Sequence, residues 1–105
     1  MYDIESIQAM YSKYAVEYSQ HFRSRMKERN IKFTDVRMAI LNWKIIEQDL
    51  NDIPNPSVLI LGYVYDDKPL HVAVGIDDAN LVLITAYFPS FTLWEDDFKT
   101  RKVVE

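Results

Sequence analysis

The chain has 105 residues, a length that suits one domain with its own hydrophobic core. It contains no cysteine, which excludes disulfides and thiolate metal sites. No apolar run approaches the ~20 residues that a membrane-spanning helix needs, and the N-terminus has no signal-peptide pattern. We therefore expect a single cytoplasmic domain over residues 1–105, with no membrane contact.

The charge is unevenly distributed around a net value of −4. The segment from Lys13 to Lys44 carries eight Lys and Arg residues against three acids, and the remainder carries four against thirteen. This pattern indicates either a surface for an anionic partner or charges that pair across the molecule. The composition leaves both alternatives open.

Residues 6–29 predict one long helix, because apolar side chains recur on one face with the helical period. This face consists of Ile7, Tyr11, Tyr14, Ala15, Tyr18, Phe22 and Met26. Arg25 and Arg29 fall inside the face, and His21 lies at its edge. Burying an unpaired guanidinium is costly. Either this end of the face lines a cleft, or the arginines have carboxylate partners. Asn30 is predicted to end the helix in a left-handed conformation.

A second helix is predicted to begin at Thr34, a candidate N-cap followed by Asp35, and to end near Trp43. Four strands follow, over residues 44–49, 57–65, 70–76 and 81–88. The last two are the most apolar and predict the sheet centre, and the charged first one predicts an edge. Short loops favour an antiparallel meander. We expect an α+β fold in which two N-terminal helices cover one face of a four-stranded antiparallel meander, with a short C-terminal tail over residues 91–102.

The position of Tyr87 relative to His71 depends on strand register. A turn over residues 77–80 pairs Ile76 with Leu81, which places His71 opposite Ala86 and Tyr87 on the other face. A β-bulge would reverse that arrangement. The sequence leaves both registers open.

Most catalytic classes have little support in the sequence. The two histidines lie in distant elements without metal-ligand spacing, and the three Asp pairs are typical of solvated turns. There is no nucleophile-elbow motif and no glycine-rich phosphate loop. We expect no metal and no cofactor.

The remaining candidates are basic and aromatic. The candidate catalytic residues are His21, Arg25, His71 and Tyr87, and the candidate RNA-binding residues are Arg23, Lys27, Arg29, Lys32 and Thr85. Arginine binds phosphate through its forked guanidinium, and histidine and tyrosine can transfer protons or donate hydrogen bonds. Such a set could hold RNA and cleave it without a metal. Each residue taken alone also suits an ordinary structural role.

Several motifs in the same order resemble those of one bacterial family. They are His21, Arg25 and Arg29 in HFRSRMKERNI, Asp35-Val36, Trp43 to Glu47, Pro56-Ser57 with Leu61-Gly62-Tyr63, Pro69-Leu70-His71-Val72, Ile84-Thr85-Ala86-Tyr87, and Trp94-Glu95 with Phe98-Lys99-Thr100-Arg101. Through these motifs residues 21–102 resemble the domain-of-unknown-function 4258 family. That family looks like a relative of the RelE-like and BrnT-like ribonuclease toxins.

The resemblance implies a RelE-like fold and a toxin-type, metal-independent endoribonuclease of a bacterial toxin–antitoxin pair. Its partners would be RNA and a cognate antitoxin, of the zinc-finger type in some members, and not DNA. On this hypothesis Arg25 and Arg29 hold the phosphate, His21 or His71 acts as base or acid, and Tyr87 assists. The alternative is a non-catalytic interaction module whose basic helix docks an acidic protein partner.

Overall fold

The computed structural model describes residues 2–13, 16–42, 44–78 and 80–103. Within these ranges the chain forms three α-helices and five β-strands. In chain order they are α1 (Ile4–Lys13), β1 (Val16–Tyr18), α2 (Gln20–Arg29), α3 (Phe33–Asn42), β2 (Lys44–Asp49), β3 (Ser57–Val64), β4 (Lys68–Asp77) and β5 (Asn80–Tyr87). A 3₁₀ turn, Tyr65–Asp67, joins β3 to β4. None of the helices described is long and apolar enough to cross a membrane.

The strands form one mixed sheet in the order β1-β5-β4-β3-β2. The four strands from β2 to β5 are antiparallel neighbours, as their short connections predict, and β2 lies at an edge. β1 adds a parallel pair at the other edge, where Val16 pairs with Leu81. The prediction of a four-stranded antiparallel sheet under two helices is therefore wrong. The fold is α+β with three helices and a five-stranded mixed sheet.

The error originates in residues 6–29, which form two helices separated by β1. Ser19 begins α2, because its extended backbone stops a helix and its Oγ accepts a hydrogen bond from the Phe22 N–H at 3.0 Å. The apolar period runs through this break unchanged, so periodicity alone could not reveal it. Tyr14 and Ala15, predicted on the helix face, lie outside the described residues.

The helix ends follow their capping chemistry. Asn30 ends α2 with φ 55° and ψ 42°, which confirms the predicted left-handed cap. Thr34 lies inside α3 and not at its cap, and the Asp35 carboxylate accepts a hydrogen bond from the Lys32 N–H at 3.0 Å. Trp43, the predicted end of this helix, lies outside the described residues.

All three helices contribute to one core on one face of the sheet. Its buried members include Ile7 of α1, Phe22 of α2 and Val36 of α3, and the sheet contributes alternate residues such as Val72 and Val74. Burial of these aliphatic and aromatic side chains is the main source of stability. The opposite face of the sheet, called the outer face below, carries the other set of alternating residues.

Gly62 fixes how closely α3 approaches the sheet. A Cβ built on this buried residue would collide with the backbone Cα of Ala39 in α3. The helix therefore lies against bare backbone at this crossing.

We expect Gly62→Ala to destabilise the fold by about 1–3 kcal/mol, because a helix backbone cannot move aside as a flexible side chain can. The matched control is Gly75→Ala, where the nearest atom to the new Cβ is the end of the Ile84 side chain at 3.4 Å. Urea unfolding midpoints measure the difference. Equal midpoints for the two variants would show that the stability of the fold does not depend on the close approach of α3 to Gly62.

Candidate functional site

The C-terminal tail crosses the outer face above His71. Trp94 is 1% exposed and pairs through its backbone with Arg101, which folds the tail back on itself. Its ring meets the His71 ring edge-on, with 4.4 Å between centroids and 84° between planes. No surface of His71 remains exposed. The tail therefore covers His71 and the small polar region around it on this face.

A β-bulge in β5 brings Tyr87 to the same face as His71. Ile76 pairs with Leu81 as predicted, but Val74 pairs with Leu83 while Ala73 pairs with Thr85. Ile84 is the extra residue, and beyond it His71 pairs with Tyr87. Of the two registers that the sequence left open, the bulged one is formed.

Two hydrogen bonds determine which His71 nitrogen carries the proton. Nε2 lies 2.6 Å from the Phe98 carbonyl oxygen, which can only accept, so Nε2 must donate. Burial is the main cause that lowers the pKa of His71, so the ring is neutral near pH 7. Nδ1 then has a lone pair and accepts a hydrogen bond from the Tyr87 hydroxyl at 3.1 Å.

The Tyr87 hydroxyl keeps its own proton at neutral pH. Burial is the main cause that raises its pKa; the Arg101 guanidinium opposes this most, the Glu47 carboxylate adds to the rise, and Arg29 lowers the pKa by the least. A protonated hydroxyl that donates to a histidine can take up a second proton as it passes its own to Nδ1. Tyr87 and His71 therefore form a pair suited to relaying a proton.

Tyr87 lines a cavity of about 280 Å³ on the outer face, called the Tyr87 cavity below. Its wall includes Thr85 and Arg101. The Arg101 guanidinium is held by Glu47 through two parallel contacts, Nε to Oε2 at 2.7 Å and Nη2 to Oε1 at 2.9 Å. It also stacks on Trp94, 4.6 Å from the ring centroid. The contact with Glu47 raises the pKa of Arg101, so the guanidinium stays charged in a wall that also contains Glu47 and Asp49.

Arg29 brings a second guanidinium to this region from the end of α2. Its Nη1 donates to the Ala86 carbonyl at 2.7 Å and to Thr85 Oγ1 at 3.2 Å. β1 pairs only with residues 81–83 of β5, so the strand edge beyond has carbonyls available for such a contact. Arg29 therefore anchors α2 to β5 beside the cavity.

The structure divides the candidate site residues into two groups. Arg29, His71, Thr85 and Tyr87 come together on and beside the outer face. The others remain on α2 or just after it: His21, Arg23, Arg25, Lys27 and Lys32. The exposed His21 precedes Arg29 by two helical turns, about 12 Å along the axis.

Arg25 is neither buried nor paired with a buried carboxylate. It is 41% exposed and contacts Glu28, itself 60% exposed, at 2.9 Å on the same helix. The buried residues of α2 are Phe22 and Met26. An exposed pair of this spacing contributes little to stability. Arg23, also exposed, lies 5.6 Å from the Tyr18 ring and 5.7 Å from the Phe33 ring.

Sequence reasoning missed four parts of the site: Glu47, Trp94, Arg101 and the Phe98 carbonyl. They come together through contacts over long chain distances, such as that between Glu47 and Arg101. The available signal was the resemblance, whose motifs included these positions. Within the described ranges, no group of three or more His, Asp or Glu residues could hold a metal ion.

Together these features define a small α+β domain with a polar cavity on the open face of its sheet, with Arg101 in the cavity wall and Arg29 beside it. The sequence signature of one known family, described as a domain of unknown function (DUF4258), matches residues 18–88. Since this match spans more than half of the chain, the protein belongs to that family, as the sequence resemblance indicated. No curated protein and no solved structure matches the chain.

His71 should make stability depend on pH. Its pKa is about 6.5 when unfolded and lower when folded, so the unfolded chain binds more protons between these values. The free energy of unfolding should therefore fall as the pH drops below 6.5, by at most about 1.4 kcal/mol per pH unit for one histidine. Urea unfolding at pH 7.5, 6.5 and 5.5 measures the effect.

The matched variants are His71→Gln, whose amide retains a donor for Phe98, and His21→Gln at the exposed histidine. The first should reduce the drop in stability, and the second should leave it unchanged. An identical drop in the wild type and in His71→Gln would show that His71 does not titrate as its burial requires.

Proposed function

We propose that the protein is a metal-independent endoribonuclease of the toxin type, from a bacterial toxin–antitoxin pair. The observation that supports this most is the Tyr87–His71–Phe98 hydrogen-bonded chain beside the Arg101 guanidinium. It combines a group that can accept a proton with a cation that can hold a phosphate. RNA cleavage through the 2′-hydroxyl requires both.

In the proposed reaction the 2′-oxygen of RNA attacks the adjacent phosphorus. The 2′-oxygen–phosphorus bond forms and the bond from phosphorus to the 5′-oxygen breaks, which gives a 2′,3′-cyclic phosphate and a 5′-hydroxyl. The Tyr87 oxygen takes the 2′-hydroxyl proton while its own proton moves to His71 Nδ1. The leaving 5′-oxygen takes a proton from water, and His71 later returns its proton through Tyr87 to solvent.

The Phe98 carbonyl supports this transfer, because it accepts the Nε2–H of His71 in both protonation states. His71 is too deeply buried to touch RNA, so it acts through Tyr87. Arg101 stabilises the charge that develops on the phosphate. Arg29, which contacts Thr85 beside the cavity, adds a second positive charge near that phosphate. His21 and Arg25 are better placed to contact the RNA backbone than to take part in the chemistry.

The surface of α2 supports binding of a polyanion. The helix carries four basic residues against one acid in an otherwise acidic chain. Of the candidate RNA-binding residues, Arg23 and Lys27 are exposed on this helix, and Lys32 is exposed just after it. RNA phosphates or an acidic segment of the antitoxin would match this charge. The same surface supports the second candidate function, a non-catalytic module that docks an acidic protein partner.

The test is cleavage of a single-stranded oligoribonucleotide by purified protein in EDTA. We expect products that end in 2′,3′-cyclic phosphate. Tyr87→Phe, which removes only the hydroxyl, should lower the rate by at least ~10²-fold, the usual contribution of a general base. The control is Tyr65→Phe, which makes the same change on the exposed 3₁₀ turn and should cleave at the wild-type rate.

Full activity in Tyr87→Phe would remove the proposed relay from the mechanism. If the wild type binds the RNA without cleaving it, the protein is not a ribonuclease of this type. Capture of an acidic protein partner that Arg23→Gln and Lys27→Gln abolish would then favour the docking module.

A further inference from the structure

A second cavity of the outer face has no role in the proposed reaction. It measures about 260 Å³ and is lined by Lys44, Leu61, Tyr63, Asp97 and Lys99. We infer that this lysine cavity binds a phosphate group, and that in the RNA complex it holds the phosphate of a neighbouring nucleotide. Only the RNA part of this inference rests on the proposed function.

The lysine cavity brings two ammonium groups together from different elements. Lys44 comes from the edge strand β2 and Lys99 from the tail, and both line the same space. The Lys99 ammonium is the main cause that lowers the pKa of Lys44, and Asp97 offsets only part of this effect. Two ammonium groups that line one cavity repel each other unless an anion lies between them.

Asp97 is already engaged in building the turn that positions Lys99. Its Oδ1 accepts the backbone N–H groups of Lys99 and Thr100, both at 2.9 Å, and its Oδ2 accepts the Thr100 hydroxyl at 2.8 Å. These hydrogen bonds lower the pKa of Asp97. The carboxylate holds the tail in shape, and the two ammonium groups remain available to an external anion.

The residues of β3 that line the lysine cavity favour phosphate binding, because they provide a low-dielectric surface beneath the two lysines. Leu61 and Tyr63 of β3 form this surface, with Leu61 buried. A low-dielectric surface beneath two cations focuses their field into the open space. A phosphate carries up to two negative charges and several acceptor oxygens, so it can bind both ammonium groups at once.

Both cavities border the tail, next to neighbouring outer-face positions of β3. Leu59 lines the Tyr87 cavity and Leu61 lines the lysine cavity, and these two leucines lie about 7 Å apart along β3. Arg101 faces the first cavity and Lys99 the second. A single RNA strand could then place successive phosphates at Arg101 and at the two lysines.

The first experiment uses inorganic phosphate and needs no RNA. Lysine side-chain NMR resonances are followed while phosphate is added to the full chain. We expect saturable shifts at Lys44 and Lys99, with no comparable change at Lys68, which lies over the Phe88 ring. The Lys44→Gln, Lys99→Gln double variant should lose binding. Unshifted lysine resonances would overturn the inference.

The second experiment uses a 2′-O-methyl oligoribonucleotide, which cannot be cleaved through its 2′-oxygen. Affinity is measured at several salt concentrations. In the double variant the slope of log K against log salt should be shallower by about 0.7, the value for one lost phosphate contact on a single strand. The control is Arg37→Gln on the exposed side of α3, which covers the opposite face of the sheet and should leave the slope unchanged.

The two experiments separate the inference from the proposed function. Phosphate binding without RNA binding would keep the phosphate site and contradict the ribonuclease proposal. RNA binding with an unchanged slope in the double variant would overturn the subsite and leave the ribonuclease proposal intact.

Discussion

The buried His71 ring connects three separate parts of the chain, and the arrangement of the outer face depends on it. The ring lies on β4. It accepts a hydrogen bond from the Tyr87 hydroxyl at the end of β5 and donates one to the Phe98 carbonyl of the tail. Each nitrogen has a defined partner, so burial of the polar ring does not leave an unsatisfied group. Without these bonds the tail would be held mainly by Trp94 and by the contact between Glu47 and Arg101.

The site is built on the face of the sheet that the helices do not cover. The core face needs apolar side chains to pack against α1, α2 and α3, so polar chemistry is confined to the outer face and its edges. The Ile84 bulge places Tyr87 on that face, and the bidentate contact with Glu47 holds the Arg101 cation in the cavity wall. We propose that RNA cleavage uses this rigid arrangement, with the exposed basic surface of α2 as a second point of contact.

The sequence predicted those parts of the fold that local patterns encode. β3, β4 and β5 are long aliphatic runs, and Asn30 has a side chain suited to a left-handed cap. β1 was missed because three residues are too few for a strand pattern, and the helical period continues through them. Parallel pairing of Val16 with Leu81 joins residues far apart in the chain, which no local pattern can specify.

The site was predictable only where local properties of the sequence, such as residue type, identify its members. His71, Thr85 and Tyr87 stood out by residue type, but only the bulge decides that His71 and Tyr87 meet. His21 and Arg25 shared a helix face with Arg29, although only Arg29 reaches β5. The roles of Trp94 and Arg101 arise because the tail folds back over the sheet. The spacing of residues along the chain does not predict that contact.

The proposed proton relay depends on the neutral, Nε2-protonated state of His71. Nitrogen-15 NMR of the imidazole ring tests it most directly, since the two ring nitrogens have distinct chemical shifts in each tautomer. At pH 7 we expect a protonated Nε2 and an unprotonated Nδ1 that accepts the Tyr87 hydrogen bond. A proton on Nδ1 with none on Nε2, or a doubly protonated ring at that pH, would contradict it.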